Sequence, residues 1–279
     1  MGRILFLLVA TVGLLSAQSG TLDIYWVDTE GGAATLVVTP AGESMLVDSG
    51  NPRGRDAQRI QDVATKQAGL SKIDYLVTTH YHIDHVGGLS DLAGLIPIEH
   101  FIDHGDSVEA AGNPRAARTF ATYQSISEGK RTILKPGDKI PLEGLDVTVV
   151  AAAYNVLDKP INGGGPNPYC EGAANKDPDP TQMENTASLG FLLTFGDFTF
   201  LDTGDLTWDI EMKLACPVNL VGEVTLMQAT HHGFYHGYSG NPAHISAVKP
   251  QVVIVNNGPR KDRVGCQDDL PSPCARGVN

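Results

Sequence analysis

The sequence predicts an α/β sandwich, two sheets with helices on their outer faces. Two observations carry this prediction. Short apolar runs of strand character recur along the chain, broken by turns, and the 31 glycines and 17 prolines give loops a large share of it. Segments of helical spacing fall between those runs, so strands and helices mix through both halves. With 279 residues, 42% hydrophobic and 19% charged, the chain can bury a core and suits a globular protein.

Each element follows from its residues. Residues 22–27, 34–39 and 44–48 read as three strands, joined at Thr29-Glu30-Gly31-Gly32 and Thr39-Pro40-Ala41-Gly42. Residues 55–68 set Ile60, Val63, Ala64 and Gln67 along one side of a helix that stops at Gly69. A strand over 73–79 leads directly into His80. A short helix over 89–93, a strand over 99–103, a helix over 116–128 and a strand over 145–152 follow. Residues 154–184 read as one long loop, holding Asn-Gly-Gly-Gly-Pro-Asn-Pro and Asp-Pro-Asp-Pro with little apolar periodicity. Strands resume at 188–195 and 198–202, then a helix over 206–215, a strand over 224–229, a helix over 242–248 and a strand over 252–256. Residues 260–279 are polar and aperiodic where a covering helix is expected, so the chain reads as truncated or frameshifted there.

The N-terminus reads as a secretory signal peptide over residues 1–17. Arg3 precedes a 12-residue apolar run over 4–15, and Ser16-Ala17-Gln18 supplies a small-residue cleavage site. That run is shorter than the ~20 residues a membrane span needs, so no transmembrane anchor is expected. The mature protein is then secreted or periplasmic, with one folded domain expected over 18–259. Cys170, Cys216, Cys266 and Cys274 meet an oxidising compartment, and three pairings are open. Twenty Lys and Arg against 32 Asp and Glu give a net charge of −12. A general nucleic-acid or anionic-membrane binder needs the opposite field, so a long nucleic acid is not the expected partner.

The segment Thr79-His80-Tyr81-His82-Ile83-Asp84-His85-Val86-Gly87-Gly88 is the strongest signal in the chain. It packs three imidazoles and a carboxylate into six residues immediately after an apolar strand. By composition, such an HxHxDH run arises by chance in roughly one chain in a thousand. Neutral imidazole and carboxylate are the donors of catalytic zinc, where an open position admits water. The spacing lets His80 and His82 address one ion while Asp84 and His85 turn toward a second.

This segment resembles the hallmark of the metallo-β-lactamase superfamily, and three further segments extend the resemblance. Leu46-Val47-Asp48-Ser49-Gly50 is similar to the family's early strand-Asp-Gly turn. Phe200-Leu201-Asp202-Thr203-Gly204-Asp205 is similar to its TGD segment. Ala229-Thr230-His231-His232-Gly233 is similar to its late His motif. With Asn185-Thr186-Ala187-Ser188-Leu189, the pattern most resembles the ComEC-type branch. The resemblance implies a four-layer αββα sandwich of the metallo-β-lactamase type. It implies a hydrolase that uses a hydroxide held by two Zn2+ ions, with Mn2+ or Fe as alternatives. Metal ligands would come from His80, His82, Asp84, His85, Asp205, and His231 or His232. Asp205 would bridge the ions, and Asp84 or Asp205 would orient the nucleophile. Asp48 is expected to orient a ligating histidine. Asn185 is expected to contact substrate or ligand, Asp202 to be a structural strand-end residue, and His236, Tyr235 or Tyr238 to give the leaving group its proton.

Two departures stand out. Most members place a third histidine on the first metal, and between His85 and Asp205 this chain offers only His100 and His104, both expected at the surface. Phe234 stands where the ComEC-type pattern usually has Ser. The expected substrate is a small phosphodiester or related ester. The alternatives are a lactone or β-lactam, or a non-catalytic metal-binding module. The long loop is expected to bring Asn167 and Tyr169 over the metals. A Ser-His-Asp mechanism has no support, since the GxSxG elbow is missing.

Overall fold

The computed structural model describes residues 20–234 and 237–257. The expected signal segment (1–17), the tail (260–279), Tyr235, His236, Cys266 and Cys274 lie outside the described residues.

Strands β1 (Asp23–Trp26), β2 (Thr35–Val38), β3 (Ser44–Val47), β4 (Ile73–Val77), β5 (Ile98–Asp103) and β6 (Arg131–Ile133) form the first sheet in sequential order. The β1–β2 and β2–β3 pairs are antiparallel, and the pairs from β3 to β6 are parallel. The second sheet runs β13-β12-β11-β10-β8-β7, with β9 (Asn155–Val156) on β8. Its strands are β7 (Lys139–Ile140), β8 (Asp146–Ala152), β10 (Gly190–Phe195), β11 (Phe198–Asp202), β12 (Leu226–Gln228) and β13 (Val252–Ile254). It too changes from antiparallel to parallel, at β11.

Side-chain alternation builds the layers. In β3, Met45 and Val47 point between the sheets while Leu46 points to the helices, as period-two pleating requires. The inter-sheet core joins Met45, Val77 and Ile102 of the first sheet to Val149, Phe191 and Phe200 of the second. A second core lies between the first sheet and helices α1 (Arg55–Asp62), α3 (Leu89–Leu92) and α4 (Pro114–Ile126). A third lies between the second sheet and helices α6 (Trp208–Ala215) and α7 (Pro242–Val248). Three cores between four layers make the chain the αββα sandwich that the sequence predicts.

Local chemistry starts the helices. The Asn113 side chain accepts from Arg115 N and Ala116 N, and Pro114 takes the first helical position of α4. Asn241 and Pro242 repeat the device at α7. Sequence reading missed β6, β7 and α5 (Met183–Ala187), each too short to carry a period. The last of these lies at the end of the segment read as one long loop.

The disulfide pairs Cys170 with Cys216 across 46 residues and ties that loop to the end of α6. Replacing both cysteines by serine is expected to cost about 2–4 kcal/mol, because the unfolded chain regains the closed loop's freedom. Urea unfolding of the two proteins measures it, and an unchanged midpoint contradicts it.

Glu211 of α6 is wholly buried, and its Oε2 accepts from Asn241 N at 2.8 Å while Oε1 has no hydrogen-bond partner among the described residues. Burial pushes its carboxyl from 4.5 up to about 7. Between those values the folded state holds a proton that the unfolded state has released, so stability falls as pH rises through the window. Glu211→Gln is expected to remove that dependence. Relative to the parent, the variant should gain about 3 kcal/mol of stability between pH 4 and pH 8. Denaturant titrations at the two pH values check the sign and the size.

Candidate metal centre

The site forms where the four strands flanking the two antiparallel-to-parallel switches end. Asp48 follows β3, His80 follows β4, Asp205 follows β11, and His231 and His232 follow β12. The carboxyl ends of strands at such a switch leave a crevice that loops can line.

Close backbone contacts fix the loops. Asp48 N donates to Val77 O at 2.8 Å, and Ser49 N donates to His85 O at 2.6 Å. Gly88 passes so near the Ser49 carbonyl that a Cβ there would lie 2.1 Å from its oxygen, which explains the glycine after the histidine motif. Leu189 N donates to Thr79 O at 2.8 Å and joins the entry of β10 to the loop after β4. His231 N donates to Gly204 O at 3.0 Å, so the two late loops are tied together. Asp48 (φ 60°), His231 (φ 52°) and His232 (φ 57°) hold left-handed backbone. Such strain in non-glycine residues collects at functional sites, where the surrounding bonds enforce it.

Two groups of donors emerge. His80, His85 and Asp205 bring one ligand atom each within 4.8 Å of one another, and so do Asp84, His85 and His232. Asp205 Oδ2 lies 3.9 Å from His80 Nε2, 3.3 Å from His85 Nε2, 3.5 Å from His231 Nε2 and 3.4 Å from His232 Nε2. Asp84 Oδ2 lies 3.4 Å from His232 Nε2. Asp205 thus stands among four imidazoles, while His85 is the residue that both donor groups share.

The donor chemistry fits cations. His80 Nε2 is buried with no hydrogen-bond partner among the described residues. The Nε2 atoms of His85 and His232 face each other at 3.1 Å. Asp48 Oδ2 lies 2.7 Å from His85 Nδ1, which places the proton on that nitrogen and turns the Nε2 lone pair into the site. Asp48 is itself fixed by Thr79, whose N and Oγ1 donate to its two oxygens at 2.8 and 2.7 Å. The expected orienting role of Asp48 therefore has its geometry.

Without a cation these groups lean on one another. Burial, with His85 and His82 nearby, holds His80 well below its usual pKa. For His85, burial opposes the charge, but Asp205 and Asp48 outweigh it and hold the ring well above. Asp205 resists burial in the same way, because His232, His85 and His231 keep its carboxyl well below the usual range. For Asp202 burial outweighs the hydrogen bond from Gly204 N and the nearby His85, and pushes the carboxyl up to about 7.

Other expectations fare differently. His82 stands outside both groups. Its ring packs edge-on against His80, and its Nε2 lies 3.4 Å from Glu109 Oε1. Of the two late histidines, His232 joins the donor group, while Ser239 Oγ lies 3.3 Å from His231 Nδ1. His100 is exposed and stacks on Tyr75. His104, expected at the surface, is buried, because its Nε2 meets Glu184 Oε2 at 3.3 Å behind Tyr81. Asn185 is buried, its Nδ2 donating to Gln182 Oε1 at 3.2 Å and its Oδ1 without a hydrogen-bond partner among the described residues. Tyr238 is 39% exposed. The long loop does not carry Asn167 or Tyr169 to the metals. Asn167 is pinned to Ala215 O and Ala243 O between α6 and α7, and Tyr169 lines a separate cavity with Trp208.

A cavity of about 320 Å³ opens beside the donors, lined by His82, Asp84, Glu109, Arg115, Thr181 and Gln182. Sequence reading missed Glu109, Glu184 and Arg115. Glu109 and Arg115 flank a turn with no motif, and Glu184 directly precedes Asn185, so only the fold brings them to the site.

The metallo-beta-lactamase superfamily model matches residues 27–153, a stretch that holds the Asp48 turn and the whole HxHxDH motif. Residues 27–153 are thus similar to the metallo-beta-lactamase superfamily. Among curated relatives, a UPF0173 metal-dependent hydrolase of Anaeromyxobacter sp. (strain K) is 33% identical over 144 residues, 50% of this chain and 45% of that one. A ribonuclease Z of Methanopyrus kandleri (strain AV19) is 24% identical over 121 residues, 43% of this chain and 40% of that one. The chain thus spans less than half the length of the curated relatives it matches. Among solved structures, the metallo-beta-lactamase fold protein YhfI from Bacillus subtilis aligns with a TM-score of 0.43 at 12% identity, over 74% of this chain and 69% of that one.

Proposed function

We propose that this chain is a metal-dependent hydrolase with two ions, acting on a small phosphodiester or related ester. The observation that carries the reading is the pair of donor groups that share His85 and meet around Asp205. Divalent ions in such a pair polarise a scissile group and lower the pKa of a bound water. Zinc suits the imidazole and carboxylate donors, and manganese or iron suits them next.

The chain's own groups divide the remaining work. Asp48 holds His85 in one tautomer. Asp84, beside the open cavity, orients what enters. Arg115 lines the same cavity and gives an otherwise acidic chain a local positive group, which favours an anionic substrate over a neutral lactone. His236 remains the proposed proton donor to the leaving group. The relatives' names support metal-dependent hydrolysis, and a ribonuclease Z among them supports phosphodiester chemistry. The narrower ComEC-type branch rests on residues 185–189 and 230–233 alone. Export to the periplasm or beyond rests on residues 1–17, and the Cys170–Cys216 disulfide supports it.

The test is metal content per chain on protein purified without chelator or added metal, followed by a substrate screen. About two ions per chain, with bis(p-nitrophenyl) phosphate cleaved faster than a lactone or a β-lactam, supports the reading. Activity that survives complete metal removal refutes it. A loaded protein that turns over none of these substrates leaves the binding-module reading in its place.

A further inference from the structure

The first metal position lacks the third imidazole that the superfamily pattern leads one to expect. His100 is exposed, and His104 is engaged by Glu184 behind Tyr81. We propose that Glu109 supplies the missing protein donor, completing a His80, His82, Glu109 set. The proposal rests on the metal-centre reading above.

The geometry is specific to this chain. His82 Nε2 and Glu109 Oε1 stand 3.4 Å apart. Two donors on one tetrahedral ion, with bonds of about 2.0–2.1 Å, stand about 3.3 Å apart. His80 is wholly buried, its ring 4.7 Å from that of His82, and its Nε2 has no hydrogen-bond partner among the described residues. Two imidazoles and one carboxylate form a recurring donor set of catalytic zinc, with an open fourth position. The Glu109 side chain is 13% exposed and faces the cavity that also holds Asp84, so the open position would face substrate.

The carboxylate is held in place from behind. Glu184 N donates to Glu109 Oε1 at 3.1 Å. The Glu184 carboxylate receives Val108 N at 2.7 Å and Ser107 Oγ at 2.5 Å, so the residues before Glu109 are fastened to α5. Glu184 therefore acts as a positioning residue. This reciprocal clasp gives a reason for a buried carboxylate at 184, next to a histidine that coordinates nothing. It also returns His82, which stands outside both compact donor groups, to the site.

Cobalt tests the assignment, because its absorption reports each coordination sphere without reference to turnover. The full chain is stripped, loaded with Co2+ and titrated against a competing chelator. The parent is expected to bind two ions. Glu109→Gln is expected to keep the ion at Asp84, His85 and His232 and to bind the other at least about 100-fold more weakly, beyond what an outer partner carries. His82→Ala should lose the same ion. Glu109→His should recover it with a shifted absorption band, which separates a lost ligand from a damaged fold. Two ions held by Glu109→Gln with the parent's affinity and spectrum would overturn the proposal and leave a plain His82–Glu109 ion pair. A parent that binds no ion would overturn the metal centre itself.

Discussion

His85→Ala is expected to remove the ion that Asp84, His85 and His232 would hold. His85 is the one residue common to both donor groups, and its ring is held by Asp48 from one side while it faces Asp205 and His232 on the other. Bound metal should fall from two ions per chain to about one, and kcat/KM for the best ester should fall by about 10³-fold or more, the scale on which a transition-state stabiliser is lost. The imidazole lies at the ends of the strands and outside the three apolar cores, so the folded state should survive. Metal analysis with circular dichroism separates the two effects. Two retained ions in His85→Ala would refute its role as a ligand.

Arg131→Ala should instead strike the fold. Asp103 is fully buried at the end of β5. Arg131 Nε and Nη2 donate to its two oxygens at 2.7 and 2.9 Å, and Tyr123 OH donates at 2.7 Å. The guanidinium also donates to Gly105 O at 2.6 Å and lies over the Phe120 and Tyr123 rings. Removing it leaves a buried carboxylate without its counter-charge, a loss of about 3–5 kcal/mol. The same change frees the start of the loop that presents Glu109. Urea unfolding should therefore show the drop, and metal affinity should weaken with it. A loss under about 1 kcal/mol, the size of a surface ion pair, would contradict this account.

The sequence made the scaffold legible wherever a period had room to show. The apolar runs in 44–48 and 73–79, and the helical spacing in 55–68, are long enough to mark a strand or a helix. β6 and β7 have three and two residues, below the length at which alternation means anything. The donors from 80 to 85 were legible because they are dense in sequence, and Asp205 and the late histidines because their motifs follow in order. Glu109 had no such signal. Its partner His82 lies 27 residues away, and the turn between β5 and α4 closes that gap. His104 misled for the converse reason. A lone histidine after a strand reads as exposed, yet a glutamate 80 residues later covers it. The fate of Asn167 turned on two carbonyls of α6 and α7, which composition cannot anticipate.

The placement of the donors has a consequence for mechanical behaviour. His80, Asp84 and His85 hang from the first sheet, and Asp205 and His232 from the second. Any ion they share is a rivet across the seam of the sandwich. It closes one end of the interface, where polar loops take over from the apolar core. Loading should then slow amide exchange most in the facing loops after β4 and β11, and little in the helices outside. In such a protein, losing the cofactor and loosening the hinge between its two halves are one event.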